Sequence, residues 1–378
     1  MSKYIWQELK RVLIKKKISL IIILIFTIVF GGISILKQKT LEERLDSAKI
    51  ILNNQINSKK DKKAINNTKQ EISNIEEALS GIKNYDKSKI DKKILKLEKE
   101  NNPKNDYKMR QLKYLRNHNI EKNELMPKGT NATIDFLAKP QISIFYIIIL
   151  IILLSDIVSG EYTPNTIKMS LTKPISRKKI IISKFAVSII IGASVIIMST
   201  IIFVIEAGIH LGLSDYRMPF DVGAKYVLNK SIPLTVTTSQ MECVGNSISI
   251  VPLWSGIARF TLITILVSIV SISIIIFISI LCKKPLISAI INFILVIVIS
   301  FAYTWIFMDN NILATKYGTL LKFTPIPYIF QIFEVLSGDI SVRLASSVNM
   351  PFILIVCLGW SLIMMFLSTY IFSKRDFD

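Results

Sequence analysis

The sequence has little of what metal proteins and disulfide-rich proteins are built from. Its 378 residues include three cysteines and two histidines. No Cys-x-x-Cys occurs, His118 and His210 lie far apart in the sequence, and no metalloprotease helix motif is present. A zinc site or a disulfide framework is therefore not expected, and we expect no metal in this chain.

A phosphate-binding loop is also missing, since neither Gly-Lys-Ser nor Gly-Lys-Thr occurs in the chain. Such a loop uses its lysine to reach the phosphates that the glycine-rich turn holds. We expect that the chain is not an enzyme and does not hydrolyse ATP by itself. A membrane enzyme of another kind is the weakest alternative, because no apolar segment carries a catalytic-looking cluster of His, Asp or Ser.

Acidic residues are few: 27 Asp and Glu stand against 47 Lys and Arg, which gives a net charge of +20. Such a charge is typical of nucleic-acid binders. We expect no nucleic-acid partner, because the basic residues lie mostly in one polar segment and beside apolar runs. The whole sequence is also rich in Ile, Lys and Asn, a pattern that indicates a coding bias.

The chain is too apolar for an ordinary soluble protein of this size, with 51% hydrophobic residues and a mean hydropathy of +0.47. The apolar residues are concentrated in runs of about 20, long enough to cross a bilayer. We predict an all-α integral membrane protein with six transmembrane helices. The predicted transmembrane helices cover residues 18–36, 141–158, 180–205, 256–281, 286–307 and 351–372.

The first 17 residues predict an amphipathic interfacial helix that lies on the cytoplasmic leaflet. Its apolar side carries Ile5, Leu9 and Leu13 with Trp6 at the edge, and lysines supply the charge. A cleaved signal peptide is the rejected rival, because the following apolar run is long and lacks a small-residue cleavage site. The segment could also serve simply as a basic topogenic flank.

Three polar segments are predicted on the extracellular side. The large insertion 37–139 shows helical periodicity and is predicted to form two or three helices. The loop 206–255 contains hints of short strands at 235–238 and 248–251. The segment 308–349 is apolar in its middle and is broken by Pro325 and Pro327, and an interfacial amphipathic helix is one structure that it could form.

Both termini are predicted to be cytoplasmic. Six spans place the chain ends on one side, together with the basic link 159–179, the lysine pair Lys283-Lys284 and the terminal Lys374-Arg375. The Lys-rich insertion then lies outside, which the positive-inside rule tolerates for a loop longer than about 60 residues.

The link 159–179, between the second and third predicted spans, has more internal order than a turn needs. Thr163 can cap a short helix, Pro164 suits its first position, and Pro174 ends it. Ile167 and Leu171 share an apolar face. Ser176 can cap the next helix.

This pattern resembles the coupling-helix region of the type-2 ABC transporter permeases. The family's motif is an acid, a Gly-Thr pair, a Leu-rich turn, a Pro followed by an Arg, and a later Lys. The matching residues here are Glu161, Thr166, Leu171, Pro174, Arg177 and Lys184. The glycine before the threonine is replaced by Asn165, a mild departure because Asn tolerates a left-handed backbone.

The resemblance implies the membrane subunit of a bacterial ABC exporter in the cell membrane. It also implies that residues 1–17 form an elbow helix and that the segment 308–349 contains a re-entrant pair of short helices, with Pro325 and Pro327 at the bend. It implies a separate ATPase subunit, which binds ATP and Mg, and a second permease subunit, identical or paralogous. The coupling residues that it implies are Glu161, Thr166, Ile167, Lys168, Leu171, Pro174 and Arg177. A peptide antibiotic, another amphiphile or a sodium ion are the cargoes that it implies, and the few charges inside the spans favour an amphiphile.

A candidate substrate path comprises Glu206, Asn292, Pro325 and Pro327. Glu206 is a carboxylate at a membrane border, Asn292 is a polar group inside the fifth span, and the prolines mark the re-entrant bend. We expect Asn292 to form a hydrogen bond across helices.

Two other classes stay open. A membrane-anchored scaffold or sensor would use the insertion to bind a partner, but it leaves the ordered link without a purpose. An ion-coupled secondary transporter predicts internal repeats and interrupted helices in both halves, and no such repeat is visible.

Overall fold

The computed structural model describes residues 2–36, 41–57, 62–83, 87–100, 106–120, 136–162, 176–212, 215–235, 239–305 and 311–375. These residues are mostly helical. The helices, in chain order, are α1 (Ser2–Lys15), α2 (Lys17–Leu36), α3 (Leu41–Asn57), α4 (Lys62–Lys83), α5 (Lys87–Glu100), α6 (Asp106–Asn117), α7 (Pro140–Leu154), α8 (Arg177–Leu211), α9 (Leu253–Leu281), α10 (Pro285–Tyr303), α11 (Asn311–Leu321), α12 (Ile326–Phe330), α13 (Ile332–Ser337), α14 (Ile340–Arg343) and α15 (Met350–Lys374).

Five helical segments of the described chain are long and apolar enough to cross a membrane. They are Pro140–Glu161, Arg177–His210, Leu253–Leu281, Pro285–Tyr303 and Met350–Lys374. Helix α2 corresponds to the first predicted span, 18–36, and its apolar part, Lys17–Ile33, is shorter than the five segments named above. The six-span topology therefore stays a prediction.

Helix α9 lies at the centre of the bundle, where it packs against α7, α8, α10 and α15. Its sequence is apolar all round, as a helix covered on every side requires. The hydroxyls of Thr264, Ser268 and Ser273 donate to carbonyls of their own helix, so these side chains enter the core without unpaired donors.

Helices α10 and α15 lie at the periphery. Only 17% of the apolar stretch of α10 and 22% of that of α15 is buried, against 72% for α9. Their exposed side chains are nevertheless large and apolar, as Ile294, Phe301, Ile355 and Phe366 illustrate. An exposed surface of this composition suits contact with lipid or with another membrane subunit.

Helix α8 is longer than the predicted span 180–205. It runs from Arg177 to Leu211, about 52 Å at 1.5 Å per residue, and exceeds a hydrocarbon core of about 30 Å. Gly212, with φ +80, follows the last helical residue, in a backbone conformation that other residues adopt at a cost. Glycine rather than loss of hydropathy thus sets the end of the helix.

The described part of the insertion 37–139 forms two helical hairpins. Helices α3 and α4 pack through Ala48, Thr68 and Ile72, and the Thr68 hydroxyl donates to Gln55 at 3.0 Å. Helices α5 and α6 form the second hairpin. The insertion is therefore helical where it is described, and its extracellular position stays a prediction.

The segment between α8 and α9 adds two small antiparallel sheets to the predicted all-α fold. Strand β1 (Pro219–Val222) pairs with β4 (Ser249–Pro252), and β2 (Tyr226–Leu228) pairs with β3 (Met241–Cys243). Strand β4 overlaps the strand that the sequence suggested at 248–251. Part of the other suggested strand, residues 236–238, lies outside the described residues.

Helix α6 is docked onto these strands. Arg110 donates to the carbonyl of Ile248 at 2.9 Å, and the Tyr114 hydroxyl donates to the carbonyl of Arg217 at 3.0 Å. A small apolar cluster joins the insertion to the start of α9. Its buried members are Leu115, Ile120, Met218 and Leu253. The insertion and the loop before α9 thus form one unit at this end of the bundle.

Short helices α11 to α14 occupy the segment that was predicted to be re-entrant. Pro325 is the residue before α12, and Pro327 lies in its first turn, where a missing N–H is tolerated. Gly338, with φ +94, lies so close to Ala224 that a Cβ would meet the Ala224 carbonyl oxygen at 2.1 Å. The backbone N–H of Ala224 donates to Ser337 at 2.6 Å, which joins this segment to the strands.

The two ends of the described chain lie at the same end of the bundle. The first residue of α8, Arg177, donates to the carbonyls of Ser373 at 3.3 Å and Arg375 at 2.9 Å. The Arg375 guanidinium in turn lies over the ring of Tyr162, 5.1 Å from its centroid. Helix α1 also packs against α8.

Candidate functional site

The chain leaves the α-helical path after α7, and the freed backbone groups bond to serines of α9 and α10. The carbonyl of Ser155 accepts from Ser288 at 2.6 Å, and the N–H groups of Val158 and Ser159 donate to Ser279 at 3.2 and 3.1 Å. A 3-10 turn, Ser159–Glu161, follows. Buried backbone groups need partners of this kind, so the turn is held rigidly by two neighbouring helices.

Lys184 of α8 is fully buried against this turn. Its Nζ lies 2.8 Å from Glu161, 3.1 Å from Glu8 and 3.0 Å from the carbonyl oxygen of Ile157. An ammonium has three N–H donors, and these three acceptors use all of them. A buried lysine is stable only when it is paired and hydrogen-bonded in this way.

Helix α1 contributes the other two charges. The Arg11 guanidinium donates to Glu8 at 2.5 Å and also to Glu161. We call Glu8, Arg11, Glu161 and Lys184 the ion cluster. Its two carboxylates and two cations sum to zero charge, and it joins α1, the turn after α7 and the first turns of α8.

A second ion pair and a cleft lie next to the ion cluster. Lys16 donates to Asp156 within this cleft, whose volume is about 200 Å³. The cleft runs between α1 and the turn after α7, and Gly160 forms part of its wall. A Cβ at Gly160 would lie 3.2 Å from the Nζ of Lys15, so glycine gives this lysine room.

Tyr4 shows that the buried face of α1 points toward the ion cluster. Burial, followed by the nearby carboxylates of Glu8 and Glu161, raises the pKa of the Tyr4 phenol to about 12. Tyr4, Glu8 and Val12 recur every four residues and are the buried side chains of this helix.

The structure brings together two residues that the family resemblance had singled out, Glu161 and Lys184. Arg177 lies instead at the start of α8, where it contacts the C-terminal carbonyls. The predicted coupling residues Thr166, Ile167, Lys168, Leu171 and Pro174 lie outside the described residues.

Two of the four apolar residues predicted to anchor α1 pack inward. Ile5 and Leu9 are half-buried and contact the main core. Trp6 and Leu13 are 67% and 42% exposed. The membrane-interface role of this helix stays a prediction.

Sequence reasoning missed Glu8. A signal existed, because Glu8 is the only acidic residue among the first 41. A single carboxylate in a basic, amphipathic helix suggests a specific partner, and in this structure the partner of Glu8 is the buried Lys184.

The four residues of the candidate substrate path do not meet at one place. Asn292 and Pro325 line a mostly apolar cavity of about 60 Å³ between α7, α9, α10 and α12. The Asn292 amide donates to the Ser288 carbonyl of its own helix at 2.8 Å. The amide therefore bonds within α10 and not across helices as predicted. Pro327 and Glu206 are not among the residues lining this cavity.

Within the part of the chain that the structure describes, no group of three or more His, Cys, Asp or Glu side chains could hold a metal ion. The three cysteines are free thiols.

Comparison with known families identifies the class of the protein. The family model described as ABC-2 family transporter protein matches residues 4–377, so the chain belongs to the ABC-2 transporter family. It is a membrane transport component with apolar helices that suit a multi-pass membrane protein. No curated protein matches the chain.

Proposed function

We propose that this chain is the permease subunit of a bacterial ABC exporter and that the ion cluster transmits motion from a separate ATPase subunit. Membership of the ABC-2 transporter family supports the permease role. The observation that carries the proposal is the ion cluster, because it ties α1, α7 and α8 together just before and just after the segment 163–175.

In this proposal the ATPase binds the segment 163–175 through the coupling residues Thr166, Ile167, Lys168, Leu171 and Pro174. A displacement of this segment reaches α7 through Glu161 and α8 through Arg177. Since Lys184 contacts Glu161 and Glu8 at once, α1 is carried along with both helices. The Lys184 ammonium uses all three of its donors at this site, which fixes the lysine rigidly, and rigidity is what force transfer requires.

The proposed topology has six spans with both termini on the cytoplasmic side of the bacterial cell membrane. The shared location of α1, Arg177 and Arg375 supports an even number of crossings. Basic residues are also concentrated at this end, and positive charge in short loops favours the cytoplasm.

The proposed assembly contains two permease subunits and two ATPase subunits, and the ATPase supplies the sites for ATP and Mg. The large apolar side chains exposed on α10 and α15 offer surface for a second permease or for lipid. We propose that the cargo is an amphiphile, such as a peptide antibiotic.

The deciding experiment is co-purification with the candidate ATPase. We expect wild type to retain the ATPase and Leu171→Asp to lose it while still inserting in the membrane. Leu320→Asp is the matched control, because Leu320 is 71% exposed and lies in α11, far along the chain from the predicted coupling segment.

A result in which Leu171→Asp and Leu320→Asp both retain the ATPase contradicts the coupling role. Absence of ATPase from the wild-type preparation contradicts the permease proposal itself. The alternative, a membrane-anchored scaffold or sensor, gains support from that second outcome, since its helical insertion would bind a partner without any ATPase.

A further inference from the structure

A buried carboxylate at the far end of α8 takes no part in the ion cluster. Glu206 is 9% exposed, and its Oε2 atom has no hydrogen-bond partner among the described residues. A carboxylate removed from water without a partner is costly in free energy. An occupant that supplies the missing interaction would remove this cost.

Gly31 of α2 makes room for this carboxylate. A Cβ at Gly31 would lie 2.0 Å from Oε2 of Glu206 and 2.7 Å from Cδ1 of Phe203. Both side chains therefore occupy the space that a larger residue at position 31 would take. Glu206 is thus aimed at the contact between α2 and α8.

Aromatic rings adjoin the carboxylate. Phe203 precedes Glu206 by three residues and lies on the same side of α8. Phe136 meets the Phe203 ring edge-on at 4.8 Å, and Phe145 lies 5.8 Å from it. Phe30 of α2 stacks on Phe145 at 4.5 Å. Phe136, Phe145 and Phe203 are at most 3% exposed, so they form an apolar wall behind the carboxylate, which suits the alkyl groups of an organic cation.

The position of Glu206 along α8 indicates which kind of ligand could reach it. Glu206 follows Lys184 by 22 residues of one helix, about 33 Å along its axis, which is close to the thickness of a hydrocarbon core. On the side of α2 that carries Gly31, Leu24 and Ile28 are 41% and 45% exposed. A cationic head at this depth would have an apolar surface beside it for a tail.

A bound metal ion does not suit the site. Magnesium and calcium take six or more oxygen ligands, whereas the neighbours of Glu206 named above are a glycine and phenylalanines. A proton would leave the carboxyl with a donor that also needs a buried acceptor. An organic cation offers its charge to the carboxylate and its alkyl groups to the apolar wall.

We propose that Glu206 binds the ammonium or guanidinium group of a cationic amphiphile whose apolar tail lies along α2. This inference rests on the proposed function and names the class of cargo. The binding experiment needs no ATPase, so its failure is distinguishable from failure of the permease proposal.

The test measures binding of tritiated dodecyltrimethylammonium to the full chain in phosphatidylcholine nanodiscs, with uncharged dodecyl glucoside as competitor. We expect saturable binding that the glucoside displaces poorly. Glu206→Gln should weaken it about tenfold or more, because a buried charge pair loses one partner. Gly31→Ala should also weaken it, and Glu206→Asp should retain part of it. The control is Glu242→Gln, an exposed carboxylate of β3.

Binding by Glu206→Gln equal to that of wild type overturns the inference. Equal displacement by the glucoside overturns it too, and this comparison uses only wild type, so it stands even if a variant fails to fold. If the ATPase co-purifies but the cation does not bind, the permease proposal survives and the cation site does not.

Discussion

The pairing of Lys184 with Glu161 can be tested by a double-mutant cycle. The two charges are 2.8 Å apart, a gross attraction of about 6 kcal/mol at an effective dielectric constant of about 20. Desolvation of the lysine offsets much of this gain, but removing one partner of a buried pair still costs about 3–5 kcal/mol.

The net charge of the ion cluster predicts how the variants rank. Lys184→Met leaves it at −1 and Glu161→Gln leaves it at +1, whereas the double variant returns it to zero. We expect each single substitution to lower the Tm of the purified protein by about 6–10 °C, taking about 2 °C per kcal/mol for a chain of this length. The double variant should be more stable than the sum of the two losses predicts, by about 1–3 kcal/mol.

The assay is thermal unfolding in one detergent at one scan rate, followed by intrinsic fluorescence. Lys225→Met is the matched control, because this lysine is exposed and should change stability by less than about 0.5 kcal/mol. Strictly additive losses in the double variant would refute the pairing. So would a Lys184→Met protein as stable as wild type.

Two further predictions concern the segments between the long helices. Burial raises the pKa of the Cys243 thiol, so a variant with Cys243 as its single cysteine should react slowly with a membrane-impermeant maleimide near neutral pH and faster as pH rises. Labelling of Cys243 in sealed, intact cells would support the extracellular position of this loop, and labelling only after lysis would contradict it. Gly338→Ala should lower the free energy of unfolding by about 1–2 kcal/mol and increase proteolysis near Ala224, because the added Cβ would meet the Ala224 carbonyl. A protease-cleavage rate equal to that of wild type would show that the close contact between Gly338 and Ala224 is dispensable.

Local patterns predicted the helices well, because long apolar runs and helical periodicity are properties of neighbouring residues. The family resemblance likewise singled out Glu161 and Lys184. For the other half of the ion cluster, the sequence shows only that Glu8 is a lone acid in a basic helix, and it does not show which charges Glu8 and Arg11 meet. Arg11 and Glu161 are 150 positions apart, and Glu8 and Lys184 are 176 apart, so only the packing of α1 on α8 reveals that these charges meet.

The end of α8 and the hydrogen-bond partner of Asn292 are two further features that the sequence pattern did not predict. Hydropathy fades near residue 205, but the helix continues until Gly212 allows the chain to turn away. A polar residue inside a span predicts a bond across helices, yet the carbonyl one turn back on the same helix satisfies the Asn292 amide. The coupling helix itself stays a prediction, since residues 163–175 lie outside the described residues.

The docking of α6 on the strands before α9 has a consequence for synthesis. Tyr114 bonds to Arg217, 103 positions later, and Arg110 bonds to Ile248, 138 positions later. At about 5–20 residues per second, the ribosome needs roughly 5–20 s to produce the first of these partners. During that interval the apolar side of α6, with Leu115, has no strands to cover it, so the nascent chain is most prone to aggregation or proteolysis before the strands between α8 and α9 have been made.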